Sequence, residues 1–121
     1  MQRLNSALGA LAALMGAGGV ALAAATAHAG GGEMGQTAAY FLILHVAALL
    51  GLASAAALRG VLLVGPGLGL GAIIFAADLA TRAFAGARLF PFAAPIGGSL
   101  MILAWLALAA VFIFSAARRR G

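Results

Sequence analysis

The sequence contains no cysteine and no lysine, and only two of its 121 residues, Glu33 and Asp78, are acidic. Without cysteine, the chain has no disulfide, no thiolate nucleophile and no cysteine-ligated metal. Charged residues make up 7% of the chain, whereas a soluble domain has about 25%. Hydrophobic residues make up 65%, and the mean hydropathy is +1.17. The chain therefore lacks the polar surface of a soluble domain, and its composition favours a membrane protein.

The net charge of +5 comes from seven arginines. They are scattered along the chain or lie at its end instead of gathering on one face, so the charge does not indicate a nucleic-acid partner. The lipid bilayer is the partner that the composition predicts. The many alanine, glycine and arginine residues are typical of a GC-rich bacterial genome, which places the expected membrane in a bacterium.

Four apolar runs account for nearly the whole chain. Each run exceeds 20 residues, which as a helix rising 1.5 Å per residue is enough to cross a hydrocarbon core of ~30 Å. Three short connections force consecutive helices to be antiparallel neighbours. The sequence therefore predicts an all-α membrane protein, a single domain over residues 1–121 with four transmembrane helices in an antiparallel up-down bundle. The predicted helices cover residues 4–27, 37–58, 61–85 and 94–117, joined by residues 28–36, the pair Arg59-Gly60 and residues 86–93.

The arginines predict the orientation of the bundle. Five of them lie at the end that carries both termini, whereas Arg82 and Arg88 lie at the other end. The positive-inside rule then places both termini in the cytoplasm. Localisation in the bacterial inner membrane, with several spans, follows from the same reasoning.

The N-terminal segment has a second interpretation. It begins with a basic residue, continues as an apolar stretch and ends in Ala27-His28-Ala29, which is the outline of a cleavable signal peptide. Cleavage would leave three helices. The stretch is longer than the usual core of a signal peptide, which favours a first transmembrane helix.

Asp78 and Arg82 are the most informative pair in the sequence because they lie one helical turn apart in an otherwise apolar run. A charge at bilayer depth is costly unless it is paired, and a carboxylate and a guanidinium at positions i and i+4 pair well. Gly67, Gly71 and Phe75 precede the pair at spacings of four or three, so the whole stripe is expected to face the interior of the bundle. The pair either staples the structure or serves proton or ion conduction, or the docking of a charged partner.

Counting residues along the helices places His45 and Asp78 at one depth. From the predicted helix ends, His45 lies about eight residues (~12 Å) in and Asp78 about seven residues (~10 Å) in. We expect both side chains to face one interior space in the outer half of the bundle, either in direct or one-water contact or across a wider polar pocket, with His28 near its mouth. The candidate polar cluster is therefore His45, Asp78, Arg82 and His28.

His45 itself has several interpretations. It could be a proton relay, a haem or metal ligand or a pH-sensitive switch; alternatively it is a neutral imidazole bonded to Asp78, a backbone carbonyl or Tyr40. Two histidines fall short of the three or four ligands of a metal site, so we predict no metal and no cofactor. Trp105 lies in the middle of the fourth helix, where its indole N–H needs an acceptor inside the bundle or in a partner, with a backbone carbonyl of the bundle as the expected one.

Several motifs resemble one family of small membrane proteins. GQTAAYFLILHVAALLGLA resembles the Q-T-x-x-x-Y-x-x-x-H-x-L-A-x-L stretch of the bacterial domain-of-unknown-function 423 proteins, which are related to eukaryotic transmembrane protein 256. IIFAADLATRAFAGARLFPFAAPIGGSLMILAWLALA is similar to their F-S-G-(S/D)-L stretch, P-x-G-G and tryptophan-bearing helix, and ALAAATAHAG to their G-A-F-G-A-H element. The chain departs from that pattern where alanines replace the first-helix glycines and where Ala76-Ala77 replaces serine-glycine. The resemblance implies four membrane helices and no established reaction.

Two functions fit these features. The first is a structural, accessory or assembly component of a larger membrane complex, through a membrane-protein partner or as a homo-oligomer. The second is a small oligomeric transporter or channel that uses the outer polar cluster, although the inner half of the bundle offers no polar path. We do not expect an enzyme, because the sequence shows no nucleophile–base pair and no metal set.

Overall fold

The computed structural model describes residues 2–55 and 59–121, which form four α-helices with short connections. Each helix is long and apolar enough to cross a membrane. The predicted all-α membrane fold is therefore confirmed. The helices are α1 (Gln2–Ala29), α2 (Gly32–Ser54), α3 (Arg59–Ala85) and α4 (Ala93–Arg120).

The first connection is much shorter than predicted. Helix α2 begins at Gly32, so the predicted start at residue 37 and the loop over residues 28–36 are wrong. The chain turns at three glycines, Gly30 to Gly32, that have φ between +56° and +119°, a region that glycine enters without a steric penalty. The polar residues after them belong to α2, and Glu33 in its first turn complements the positive end of the helix dipole.

The predicted Arg59-Gly60 turn is also wrong, because both residues belong to the first turn of α3. Helix α2 ends at Ser54, and the backbone N–H of Ala55 caps it by donating to the carbonyls of Gly51 and Leu52. The predicted end of the second helix at residue 58 lies outside the described residues.

Close contacts between helices establish the antiparallel order. Along α1 and α2, Gly19 lies against Ile43, and Thr26 lies against Gly35. Between α3 and α4, Gly60 lies against Val111, and Gly71 lies against Met101. In both pairs one residue number rises as the other falls, and the same holds between α2 and α3, where Leu49 lies near Gly69 and Phe41 contacts Phe75. Consecutive helices therefore run in opposite directions, as predicted, and the start of α1 and the end of α4 lie at one end of the bundle.

The bundle is open along one side. Helix α2 packs against α1 and α3, and α1 also reaches α3. Within residues 2–55 and 59–121, the backbone of α4 packs against α3 alone. A cleft therefore lies between α2 and α4, with α3 behind it.

The main core fills the half of the bundle nearest the termini. It contains buried apolar residues from all four helices, including Leu8, Leu49, Val61, Leu68 and Leu108. Helix α1 contributes three of the core residues, so removal of α1 by signal cleavage would take three side chains out of this core. The core side chains are, in full, Leu8, Ala12, Met15, Leu49, Leu52, Val61, Leu62, Leu68, Ala72, Met101, Ala104 and Leu108.

The glycine stripe that was predicted on α3 is split between two faces. Gly71 lies against the backbone of α4, as expected of an interior residue, but Gly67 has no neighbour within 4 Å. Gly65 and Gly69 instead make the close contacts with the leucines of α1. The prediction for Gly67 is wrong because α3 is the central helix and packs small residues against neighbours on two sides.

Candidate functional site

Asp78 and Arg82 form the predicted ion pair. Arg82 Nη1 lies 3.8 Å from Asp78 Oδ2, while the Asp78 side chain is fully buried and that of Arg82 is 33% exposed. This separation is within ion-pair range but too long for a hydrogen bond. The carboxylate is therefore turned away from lipid, and Arg82 approaches it from the edge of the bundle.

The second partner of Asp78 is a backbone group that the sequence did not indicate. The backbone N–H of Leu89, in the connection between α3 and α4, donates to Asp78 Oδ1 at 2.8 Å. Asp78 Oδ2 is buried and accepts no hydrogen bond from the described residues. Asp78 therefore fixes the connection to α3 through Oδ1. The guanidinium of Arg82 is the group that stabilises the negative charge at Oδ2.

His45 is buried, and both of its ring nitrogens have partners. Nδ1 lies 2.7 Å from the carbonyl oxygen of Phe41, one turn earlier in α2, and Nε2 lies 3.2 Å from Trp105 Nε1. An indole N–H only donates and a carbonyl only accepts, so Nε2 must carry the lone pair and Nδ1 the proton. The contacts thus define a neutral imidazole, with a backbone carbonyl as one of the partners considered above.

Trp105 finds its acceptor inside the bundle, as expected, but the acceptor is His45 and the expected carbonyl bond is wrong. A carbonyl in the interior of a helix already accepts the N–H four residues later, whereas the Nε2 atom of the neutral His45 ring offers a lone pair. Trp105 belongs to α4 and His45 to α2, so their bond crosses the open side of the bundle. About half of the Trp105 surface is exposed.

The His45–Trp105 bond forms one wall of an apolar groove of about 340 Å³. Phe75 of α3 lies behind it and packs against Phe41, with ring centroids 4.7 Å apart. Phe41 is also stacked on His45 at 5.9 Å with an interplanar angle of 14°. The imidazole is therefore held from three sides, by its own helix, by a stacked ring and by the indole.

His45 and Asp78 do not share a polar contact, and the depth count that placed them at one level is wrong. Because α2 begins at Gly32, His45 lies 13 residues from that helix end, about 20 Å by helical rise, while Asp78 remains about 10 Å from its own. The contact between Phe41 and Phe75 supports this difference in depth. His45 lies one turn from Phe41 towards the end that carries the termini, whereas Asp78 lies almost one turn from Phe75 towards the opposite end. The predicted cluster is thus two separate arrangements, one at His45 and one at Asp78.

His28 lies exposed in the last turn of α1. It belongs with the end of the bundle that carries Glu33 and Arg88, which are also exposed. In the part of the chain that the structure describes, no three His, Asp or Glu residues come together as a possible metal site.

These features define the class of the protein: a small multi-pass α-helical membrane protein with two buried polar side chains among its described residues, His45 and Asp78. The chain belongs to the family described as Protein of unknown function (DUF423), which matches residues 8–98. The match covers three quarters of the chain, includes the four residues of the predicted cluster and ends before Trp105. The family resemblance seen in the sequence is confirmed. The chain has no match among solved structures.

The bond between His45 and Trp105 predicts energetic coupling across the open side. Trp105→Phe keeps the aromatic surface and removes the N–H, and His45→Leu removes the acceptor. We expect a double-mutant cycle, measured by thermal unfolding in detergent, to give a coupling between about 0.6 and 1.7 kcal/mol, the average and the maximum measured for hydrogen bonds between membrane helices.

Tyr40→Phe supplies the control for that cycle. Tyr40 is 59% exposed on α2, and its combination with Trp105→Phe is expected to be additive. Additive effects of Trp105→Phe and His45→Leu would contradict the bond.

Proposed function

We propose that this protein is a non-catalytic accessory or assembly component of a larger complex in the bacterial inner membrane. The observation that carries the proposal is that both buried polar side chains are engaged by groups of the same chain. His45 is held by Phe41 and Trp105, and Asp78 by Leu89 and Arg82. These side chains therefore stabilise the arrangement of the helices, as expected of a protein whose role is structural.

The apolar core argues against transport through a single copy. Between the level of His45 and the end that carries the termini, the described core consists of leucine, valine, alanine and methionine side chains. A conducting path needs polar groups to replace the hydration shell of an ion along its length. We therefore place the transporter hypothesis second.

Photo-crosslinking in native membranes tests the accessory role. A photoreactive residue at Leu106, exposed on α4, samples one face of the bundle, and the same residue at Leu14, exposed on α1, samples another. We expect one defined protein adduct that depends on the position and that also purifies with the chain under mild solubilisation. Adducts with lipid alone at every tested position, together with a free protein in native mass spectrometry, would overturn the proposal.

The orientation belongs to the same proposal, with both termini in the cytoplasm. Its support is the charge distribution: Arg3, Arg59 and the three arginines that end α4 lie at the end of the bundle that carries the termini. The positive-inside rule assigns that end to the cytoplasm.

Single cysteines decide the orientation, because the natural chain has none to remove. We expect an impermeant maleimide to label Ala87→Cys, in the exposed connection before α4, on intact spheroplasts. The matched variant Gly121→Cys should react only after the membrane is opened. The reverse pattern would place the termini outside.

A further inference from the structure

The end of the bundle that carries the termini has a second groove, away from both His45 and Asp78. It lies between the first turn of α3 and the last turns of α4 and measures about 540 Å³. Arg59, Ser115 and Arg118 supply its polar lining. Its apolar lining includes Gly60, Val111 and Phe114.

The charge of this groove is not balanced by acidic side chains. The two carboxylate side chains of the whole sequence, Glu33 and Asp78, belong to the opposite end of the bundle. Arg59 and Arg118 are both exposed, and Arg119 and Arg120 follow in the same turn of α4. Two guanidinium groups on one groove, from two helices, thus favour an anion in it.

The apolar lining of the groove favours a lipid headgroup over a free anion. Val111 packs directly over Gly60, where even a Cβ would come within 2.8 Å of Val111 Cγ2, so the wall between the helices is closed below the arginines. Phe114 is 65% exposed on the surface that would face lipid. A ligand in this groove therefore meets cationic donors at one end and an apolar surface at the other, as the headgroup and first acyl carbons of a phospholipid would.

We propose that the groove between Arg59 and Arg118 binds the phosphate of an anionic phospholipid from the adjacent leaflet. Guanidinium groups bind phosphate oxygens in a bidentate manner, and the Ser115 hydroxyl is a further donor. Basic pockets between membrane helices are a known way of binding anionic headgroups. The site goes beyond the proposed accessory function and does not depend on it.

Native mass spectrometry with defined lipids tests this site. The purified protein is titrated with phosphatidylglycerol and, separately, with zwitterionic phosphatidylcholine. We expect a saturable first phosphatidylglycerol adduct, and we expect the double variant Arg59→Gln/Arg118→Gln to bind this lipid about tenfold more weakly or worse. Phosphatidylcholine binding should be weak in both proteins.

The double variant Arg119→Gln/Arg120→Gln is the matched control, since it removes two positive charges from the same end of the bundle and neither residue lines the groove. It should retain more than half of the wild-type affinity. An equal loss in both double variants would overturn the proposal, because the binding would then follow the charge of the tail alone. Competition by millimolar inorganic phosphate would also overturn it, because the site would then take free anions.

Thermal unfolding shows whether the variants are folded and gives a second measure of lipid binding. Phosphatidylglycerol should raise the unfolding temperature of the wild type and of the Arg119→Gln/Arg120→Gln control in detergent. It should leave that of Arg59→Gln/Arg118→Gln unchanged. A rise of the same size in all three proteins would contradict a site in the groove.

Discussion

Gly97→Ala is expected to separate α3 from α4 and to destabilise the bundle by roughly 1–3 kcal/mol or more, the range for an overpacked core. A Cβ at position 97 would lie 2.6 Å from the backbone nitrogen of Phe75 and 2.7 Å from the carbonyl oxygen of Gly71. Both neighbours are backbone atoms, so no side chain can rotate away and the helices themselves must move. Thermal unfolding in detergent measures the loss.

Gly98→Ala is the matched control, one residue further along the same helix. A Cβ there would meet only Phe75 Cδ2 at 3.9 Å, which is an ordinary contact, and alanine has the higher helix propensity. We expect this variant to be neutral or slightly more stable than the wild type. Equal unfolding temperatures for the two variants would contradict the close crossing of α3 and α4 at Gly97.

The helices could be predicted from the sequence because hydropathy and length are properties of each segment alone. Their ends could not, since polar residues such as Glu33 and Gln36 follow an apolar run equally well as a loop or as the first turns of a helix. This error of five residues at the start of α2 changed the depth of His45 by about 7.5 Å along the helix axis. It thereby created the predicted contact between His45 and Asp78.

The ion pair was predictable because Asp78 and Arg82 are neighbours on one helix, and their spacing alone determines that they meet. The partners that were missed come from other segments. Leu89 donates through its backbone, which carries no sequence signal, and Trp105 reaches His45 only because α4 packs on α3 with the bundle open beside it. The need of Trp105 for an acceptor was visible in the sequence; the identity of the acceptor depended on the packing.

The two buried polar side chains fix different parts of the bundle. His45 joins α2 to α4 across the open side, where the two backbones do not touch. Asp78 joins α3 to the connection that leads into α4. Helix α4 is thus positioned by three contacts at different depths in the bundle. Gly97 packs it against α3, Trp105 bonds it to α2, and Asp78 fixes the connection from which it starts.

Arg82→Gln is expected to be the most damaging substitution of the polar residues, with a loss that could reach about 3–5 kcal/mol, as when one partner of a buried ion pair is removed. The variant leaves the Asp78 carboxylate fully buried, with Oδ2 accepting no hydrogen bond from the described residues. Adding Asp78→Asn removes the stranded charge, while the amide oxygen can still accept the N–H of Leu89. The double variant should therefore be more stable than Arg82→Gln alone in thermal unfolding in detergent.

Two further variants separate the charge from the hydrogen bond. Arg88→Gln removes an exposed arginine of the α3–α4 connection and, as the control for the loss of one positive charge, should change stability by less than about 0.5 kcal/mol. Asp78→Leu discharges the site as Asp78→Asn does but leaves Leu89 N–H without its acceptor, so it should be less stable than Asp78→Asn by about 1–3 kcal/mol. If Arg82→Gln and the double variant unfolded at one temperature, the ion pair would have no part in stability. If Asp78→Leu matched Asp78→Asn, the bond to Leu89 would have none either.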